Sequence, residues 1–310
     1  MDVLAVTGPT ASGKSDLALS LALAFDGEIL SADSMQIYRG MDIGTAKPDS
    51  KQRAAIPHHL IDILSPGESF SVAEYVNCAD KAVRDIIGRG KLPVICGGTG
   101  LYIDSLVWGV DFGRHESDPE YRAALEKMAN DRGGAHLHAM LVSVDPEEAA
   151  KVHENNIKRV IRALELCHIT GGKKSELDKQ SKGKTKKYNE LRLELCFSER
   201  QRLYERIERR TQAMLESGWL EEALNLDKAG LREGVIKTGA IGYNELFSVI
   251  DGITSVNQAA ESIKASTRAY AKRQITWFKR NIDSCRINAD APFEEIYAAA
   301  AEIIRNSRLS

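Results

Sequence analysis

Short apolar runs alternate with helical patterns through the first hundred residues. Val3-Leu4-Ala5-Val6 is the first run, and Asp16-Leu17-Ala18-Leu19-Ser20-Leu21 then carries apolar residues at helical spacing, which predicts a helix over about 15–25. Asp26-Gly27 marks a turn, and Glu28-Ile29-Leu30-Ser31-Ala32 predicts a second strand that ends in Asp33-Ser34. Residues 36–48 mix polar and apolar positions without a period and read as a long loop, which compact domains usually keep for function. His58 to Leu64 predicts a third strand. Ser71-Val72-Ala73-Glu74 is a capping box opening a helix whose apolar positions include Val72, Tyr75, Val76, Ala79, Val83 and Ile86. Leu92-Pro93-Val94-Ile95-Cys96 follows as a buried strand.

The pattern changes near residue 111. From there to about residue 171 only helical spacing is found, over about 121–130, 135–141, 146–152 and 156–169. Residues 173–187 hold seven lysines without an apolar period and predict a mobile basic loop. Leu191 to Phe197 alternates and returns the chain to the sheet. Ser198-Glu199-Arg200-Gln201 reads as a second capping box, opening a helix with Arg200, Arg202, Arg206, Arg209 and Arg210. Glu199, Glu205 and Glu208 are expected to pair with several of these on the surface. A long helix is expected over about 256–280, and the apolar spacing from Phe293 to Ile304 predicts a packing helix. The pattern therefore divides the chain into an α/β core (residues 1–110), a helical insertion (111–189), and a return to the core with C-terminal helices (190–310).

Composition adds little that is specific. At 310 residues, 43% hydrophobic and 28% charged, the chain is an ordinary globular protein with a sizeable core. A net charge of −2 gives no global attraction to nucleic acid, so any such role must rest on local basic patches. The five cysteines are scattered without a C-x-x-C pair, which favours reduced thiols over a zinc site or a disulfide framework. No run approaches the roughly 18 apolar residues of a membrane span, and a cytoplasmic protein is expected.

The chemistry starts at Gly8-Pro9-Thr10-Ala11-Ser12-Gly13-Lys14-Ser15, which matches every fixed position of a phosphate-binding loop between a strand and a helix. Its amides and the helix N-terminus suit a diphosphate or triphosphate, Lys14 can neutralise phosphate oxygens, and Ser15 can ligate Mg²⁺. Asp33 stands at the C-terminal end of a strand, where open α/β sheets bind ligands. A nucleotidase would carry an acid after the strand over 92–96; this chain has Gly97-Gly98-Thr99, which predicts a second backbone cradle with Thr99 on a phosphate or a leaving oxygen. His58 and His59 point to opposite faces of a strand and do not make a metal site. Lys158, Arg159 and Arg162 put two cations on one helix face. Residues 266–280 hold Arg268, Lys272, Arg273, Lys279 and Arg280 without an acid, interleaved with aromatic rings, as a surface for phosphates would.

The phosphate loop, Asp33-Ser34, the stretch Ile37 to Pro48, Gly97 to Tyr102, Arg159 to Glu165, and Ala271-Lys272-Arg273-Gln274-Ile275-Thr276-Trp277-Phe278 together resemble the bacterial tRNA dimethylallyltransferases, over roughly residues 3–280. The resemblance implies a P-loop NTPase-like parallel sheet core with a helical insertion that binds tRNA. It implies transfer of a dimethylallyl group from dimethylallyl diphosphate to N6 of adenosine 37, in tRNAs reading codons that start with U. It assigns the diphosphate to Gly8 through Ser15 with Mg²⁺ on Ser15, and catalysis to Asp33 as general base with Thr99 and Arg210. It assigns the anticodon stem-loop to Asp33, Ser34, Met35, Gln36, Lys158, Arg159, Arg162, Arg268, Lys272 and Arg273, with Gln36 reading the base edge. A monomer is expected. Three other readings remain open: an ATP-dependent small-molecule kinase, a prenyltransferase acting on free adenine nucleotides, and a non-catalytic RNA-binding protein.

Overall fold

The structure, a computed structural model, describes residues 1–112, 118–181 and 185–309. It falls into two compact units, Met1–Val107 with Lys187–Ser310, and Trp108–Lys186.

The first unit is built on six strands: β1 (Val3–Thr7), β2 (Gly27–Ser31), β3 (His58–His59), β4 (Leu92–Gly97), β5 (Glu190–Cys196) and β6 (Cys285–Asn288). Every pairing is parallel, in the order β3-β2-β4-β1-β5-β6. β1 lies in the interior with all five residues buried, which explains a run apolar on both faces. Its register sets Thr7 beside Gly97, while Ser31 lies beside Cys96. The chain therefore leaves β1, β2 and β4 at one sheet edge, and the phosphate loop, Asp33 and Thr99 emerge together there.

Of the helices in this half of the chain, α1 (Lys14–Ala24) packs Leu17 and Leu21 into the core formed by Leu4, Val6, Val94, Leu193 and Ile287. The short α2 (Ser50–Ala55) is closed by a capping box on Asp49 and Gln52. α3 (Val72–Gly88) starts at the expected box, with Ser71 and Glu74 each bonded to the other's backbone. α4 (Gly100–Trp108) ends the first stretch.

The second unit holds α5 (Pro119–Arg132), α6 (Gly134–Val144), α7 (Pro146–Ala149), α8 (Ile157–Thr170) and α9 (Lys174–Ser181) around Leu125, Leu137, Leu141, Val160 and Leu164. α9 occupies a segment expected to be a basic loop; Lys182 and Lys184 of that loop lie outside the described residues. The helix forms because its lysines meet acids from another helix: Lys174 pairs with Glu148 (3.0 Å) and Lys179 with Glu147 (2.6 Å). The buried Asp145 accepts both the amide and the hydroxyl of Ser175 (2.8 and 2.7 Å).

The chain then forms α10 (Arg200–Glu216), α11 (Trp219–Lys228), α12 (Arg232–Thr238), α13 (Tyr243–Ile250), α14 (Val256–Phe278) and α15 (Phe293–Leu309). Ser198 does not cap α10; its amide and hydroxyl both reach Asp290, and Glu199 takes the cap position without a side-chain bond. β6 was not expected from the sequence, because Cys-Arg-Ile-Asn buries only Ile287. The third strand is shorter than expected for a physical reason. Leu60 and Asp62 adopt left-handed backbone (φ 61° and 58°), turning the chain off the sheet after His59. Asp62 is held there by Lys47 (2.5 Å) and Arg53 (2.6 Å), so the turn is fixed by charge as well as by packing.

His58 Nδ1 meets Ile56 O (2.8 Å) and His59 Nε2 meets Glu28 (2.8 Å). Glu28 is buried in β2 and also grips Arg89. The Arg89 guanidinium, helped by His59 and opposed by burial, holds the Glu28 carboxyl down at about 2. Its folded value lies below the ordinary 4.5, so its contribution is present above that value and lost as pH falls from 4.5 toward 2. Urea midpoints measured between pH 5 and pH 2 should therefore fall more steeply for the wild type than for Glu28→Gln, and equal slopes would remove Glu28 from the acid transition.

Candidate active site

The phosphate loop follows β1 as the sequence requires. Gly13 has φ 88°, a left-handed cap at the start of α1 that a side chain would strain. Lys14 Nζ donates to Pro9 O within the loop (3.3 Å). Two arginines of α10 turn to the loop: Arg210, which the resemblance places at the diphosphate, and Arg206, which the helix pattern groups with the surface cations. Arg206 donates to Ser12 O (3.2 Å) and Ala289 O (3.1 Å), and Arg210 donates to Thr10 Oγ1 (3.1 Å). Surface pairing on α10 is confined to neighbours such as Arg202 with Glu199 (3.9 Å), while Glu208 reaches Arg268 (3.1 Å).

A cavity of about 1060 Å³ opens above the loop, lined by Thr10, Lys14, Ser15, Asp33, Arg210 and Tyr270 among others. Burial pushes the Lys14 ammonium and the Arg210 guanidinium below their ordinary values, and Arg210 adds to the effect on Lys14. Lys14 and Arg210 thus bring two poorly solvated positive charges to the cavity, with the charge of Asp33 acting on both and that of Asp16 on Arg210. Cys96 sits beside Ser15, and burial pushes its thiol up to about 11, against the pull of Lys14, so it remains protonated at neutral pH.

Asp33 faces the same cavity. Its Oδ1 accepts the Met35 amide (2.9 Å), a turn that fixes the carboxylate. The neighbouring Ser34 amide donates to Thr99 Oγ1 (3.1 Å), and the two hydroxyls stand 3.4 Å apart. Burial, followed by the charge of Asp33, pushes the Tyr270 phenol up and keeps it neutral. Of the amides expected to form a second cradle after β4, that of Thr99 is already taken. It is spent on Ala32 O (3.1 Å), and a Cβ on Gly98 or Gly100 would stand 2.0 Å from Gln274 or 2.1 Å from Trp277. The segment is a seat for α14, and its side-chain chemistry is the Thr99 hydroxyl, bonded to Ser34. Gln36 lines the cavity, but Oε1 accepts from Ser31 (2.9 Å) and Nε2 donates to Thr45 O and Ala46 O. It ties down the loop instead of offering a free base-reading edge.

That loop, residues 36–48, is braced as a unit. Glu222 accepts the amides of Asp42, Ile43 and Gly44 (2.8, 2.7 and 3.0 Å) and the Tyr243 hydroxyl (2.7 Å). The buried Lys47 head donates to Tyr38 O, Asp42 and Asp62.

The expected RNA-facing cations divide. Lys158 and Arg159 on α8 are exposed, whereas Arg162, with Arg122, neutralises the buried Glu165 (2.8 Å each). Those two guanidinium groups outweigh burial and hold the Glu165 carboxyl below its usual range. On α14, Lys272 and Arg273 are exposed, with Arg273 over the Tyr270 ring (5.5 Å), while Arg268 is shared with Glu208 and the Tyr204 ring. The same helix buries Ala271, Gln274 and Phe278 as one stripe. A glutamine in an otherwise apolar stripe was a legible signal, and Gln274, Tyr270 and Arg206 are the cavity residues that sequence reasoning passed over.

The family model described as IPP transferase matches residues 36–281. A tRNA dimethylallyltransferase of Caldanaerobacter subterraneus is 46% identical over 280 residues, 90% of this chain and 89% of that protein. Among solved structures, a full-length tRNA isopentenylpyrophosphate transferase from Bacillus halodurans is 39% identical, with a TM-score of 0.72 over 98% of this chain and 95% of the other. A eukaryotic dimethylallyltransferase, described as acting on tRNA, is 28% identical with a TM-score of 0.79 over 98% of this chain and 79% of its own. With a sheet edge that gathers the phosphate loop, Asp33 and Thr99, and with relatives matched almost end to end, the chain belongs to the tRNA dimethylallyltransferase family.

Proposed function

We propose that this protein transfers the dimethylallyl group of dimethylallyl diphosphate to N6 of adenosine 37 in tRNAs that read codons starting with U, releasing diphosphate. The observation that carries the reading is a single cavity lined by the cations Lys14 and Arg210 and by the Asp33 carboxylate. An allylic diphosphate carries its leaving group where those cations stand. The C1–O bond breaks with its electron pair going to the diphosphate, which the loop residues Gly8 to Ser15, Lys14 and Arg210 stabilise as charge builds. The new bond forms between C1 and N6, and Asp33 takes the N6 proton, with Thr99 holding Ser34 and the substrate amine in line.

The donor set fits a magnesium ion. Ser15 offers a hard hydroxyl, the adjacent Cys96 thiol is protonated, and no group of three metal-ligating side chains occurs among the described residues. Diphosphate and water would supply the remaining ligands, as Mg²⁺ prefers, and the bound ion would add positive charge against the leaving group.

The adenine must leave its stack to reach the cavity, so the RNA has to be gripped around it. Asp33, Ser34 and Met35 stand at the entrance strand end, and Lys158, Arg159, Arg268, Lys272 and Arg273 supply charge for the anticodon stem-loop. Arg162 serves the insertion's interior first. On this reading the protein works as a cytoplasmic monomer, and no described helix is long and apolar enough to cross a membrane.

The test is incubation with labelled dimethylallyl diphosphate and an anticodon stem-loop carrying A36-A37-A38, against a stem-loop with A37 replaced. Label on the first RNA alone is the expected result. Transfer to both RNAs, to neither, or to free adenine nucleotides in preference would overturn the reading.

A further inference from the structure

Gln274 lies on α14 with 5% of its surface exposed, and both ends of its carboxamide are used. Its Oε1 accepts the Thr10 amide of the phosphate loop at 2.8 Å, and its Nε2 donates to Gly98 O, next to Thr99, at 3.0 Å. Thr10 is held at its other end too, since its hydroxyl accepts from Arg210 Nη1 at 3.1 Å. One continuous chain of hydrogen bonds thus runs from the Thr99 segment through Gln274 and Thr10 to Arg210. No apolar side chain could complete it, and position 98 must stay without a side chain for it, because a Cβ there would stand 2.0 Å from Nε2.

We propose that Gln274 is a positioning residue that sets the spacing between the base side of the cavity, at Thr99, and the diphosphate side, at Thr10 and Arg210. It touches neither substrate. Its role is to keep the Thr10 amide and hydroxyl oriented so that Arg210 points at the departing diphosphate while Thr99 stays beside Ser34. The neighbouring Lys272 and Arg273 face outward from the same turn, so the helix carries two separable tasks: cations outside, loop alignment inside. The inference deepens the transferase reading and rests on it for the identity of the diphosphate.

The test compares Gln274→Met, which keeps volume and removes both bonds, with Gln274→Glu, which keeps the acceptor for Thr10 and sets a carboxylate against Gly98 O. Binding of inorganic diphosphate with Mg²⁺, steady-state transfer and stem-loop RNA binding are measured on the full chain, with melting curves as a check on folding. Gln274→Met is expected to lower kcat/KM for the allylic diphosphate about 10- to 100-fold, as a misplacement of the order of an ångström does, and to weaken inorganic diphosphate binding. RNA affinity should stay within about twofold, whereas Lys272→Ala should show the opposite division. Gln274→Glu should retain more diphosphate affinity than Gln274→Met. In a double-mutant cycle, Gln274→Met and Arg210→Met should be less than additive because they break one chain. Additive losses, an RNA affinity loss without a diphosphate effect, or a diphosphate effect that only tracks melting would each overturn the proposal. Inorganic diphosphate binding does not depend on the acceptor, so a wild type that binds diphosphate yet transfers nothing to RNA would sink the transferase reading and leave the Gln274 comparison standing.

Discussion

Asp33→Asn is expected to lower the single-turnover rate of prenyl transfer by about 10²–10⁴-fold while leaving diphosphate binding and the melting temperature close to wild type. The asparagine can still accept the Met35 amide through Oδ1, so the turn after β2 survives and only the proton acceptor is lost. This separates chemistry from folding, which an alanine at the same position would confuse. N6 of adenine is a weak nucleophile, and the proton it sheds on bond formation needs a base within hydrogen-bond reach. In this cavity Asp33 is the carboxylate beside Thr99 and Ser34; of the others that line it, Asp16 lies in the first turn of α1, Asp49 caps α2, Asp42 is bound by Lys47, and Asp62 by Lys47 and Arg53. A rate within about threefold of wild type with the stem-loop RNA would remove Asp33 from the proton transfer and point to the diphosphate itself as the acceptor.

Arg210→Met is expected to cost about 10²–10³-fold in kcat, comparable with the loss of one preorganised donor at a site of developing charge. Arg210 is half-buried, and its bond to Thr10 is the only one fixing its direction among the described residues, so its charge is already aimed before substrate arrives. That preorganisation makes the charge effective, because no solvent has to reorient as the C–O bond breaks. Removing it also relieves one of the two influences that depress Lys14, the other and larger being burial. Lys14 should therefore become easier to protonate in Arg210→Met, and the pH at which inorganic diphosphate affinity declines should move upward. Unchanged kcat with an increased KM for RNA would instead make Arg210 an RNA contact and break the chain drawn through Thr10 and Gln274.

Much of the site was legible because its chemistry is local. A phosphate loop is a run of eight residues whose glycines, lysine and serine must be adjacent, and the strand before it and helix after it carry their own patterns. Asp33 could be singled out because a carboxylate directly after a buried strand sits at a known edge of a parallel sheet. The helical insertion announced itself by a long stretch of period 3.6 without strands, though the extent of α9 did not, since its lysines are stabilised by Glu147 and Glu148 from another helix.

The misreadings share one cause. Arg206 looks like a surface residue in a helix where glutamates alternate with arginines, and only the packing of α10 beside the loop turns it inward with Arg210. Gly97-Gly98 looks like a second cradle, and only the approach of the Ala32 backbone to Gly97 and of Gln274 to Gly98 shows why side chains are excluded there. The truncation of β3 depends on Lys47 and Arg53 meeting Asp62, and β6 depends on pairing with β5. The sequence by itself determined the ligand class, the sheet architecture and the general base candidate, because each is carried by neighbouring residues with a local period or spacing. Tertiary structure decided which glutamine holds the loop, that Arg206 and Arg210 turn toward it, and that Arg122 joins Arg162 on the buried Glu165, because those contacts link residues 43 to 264 positions apart, beyond the range of any local pattern.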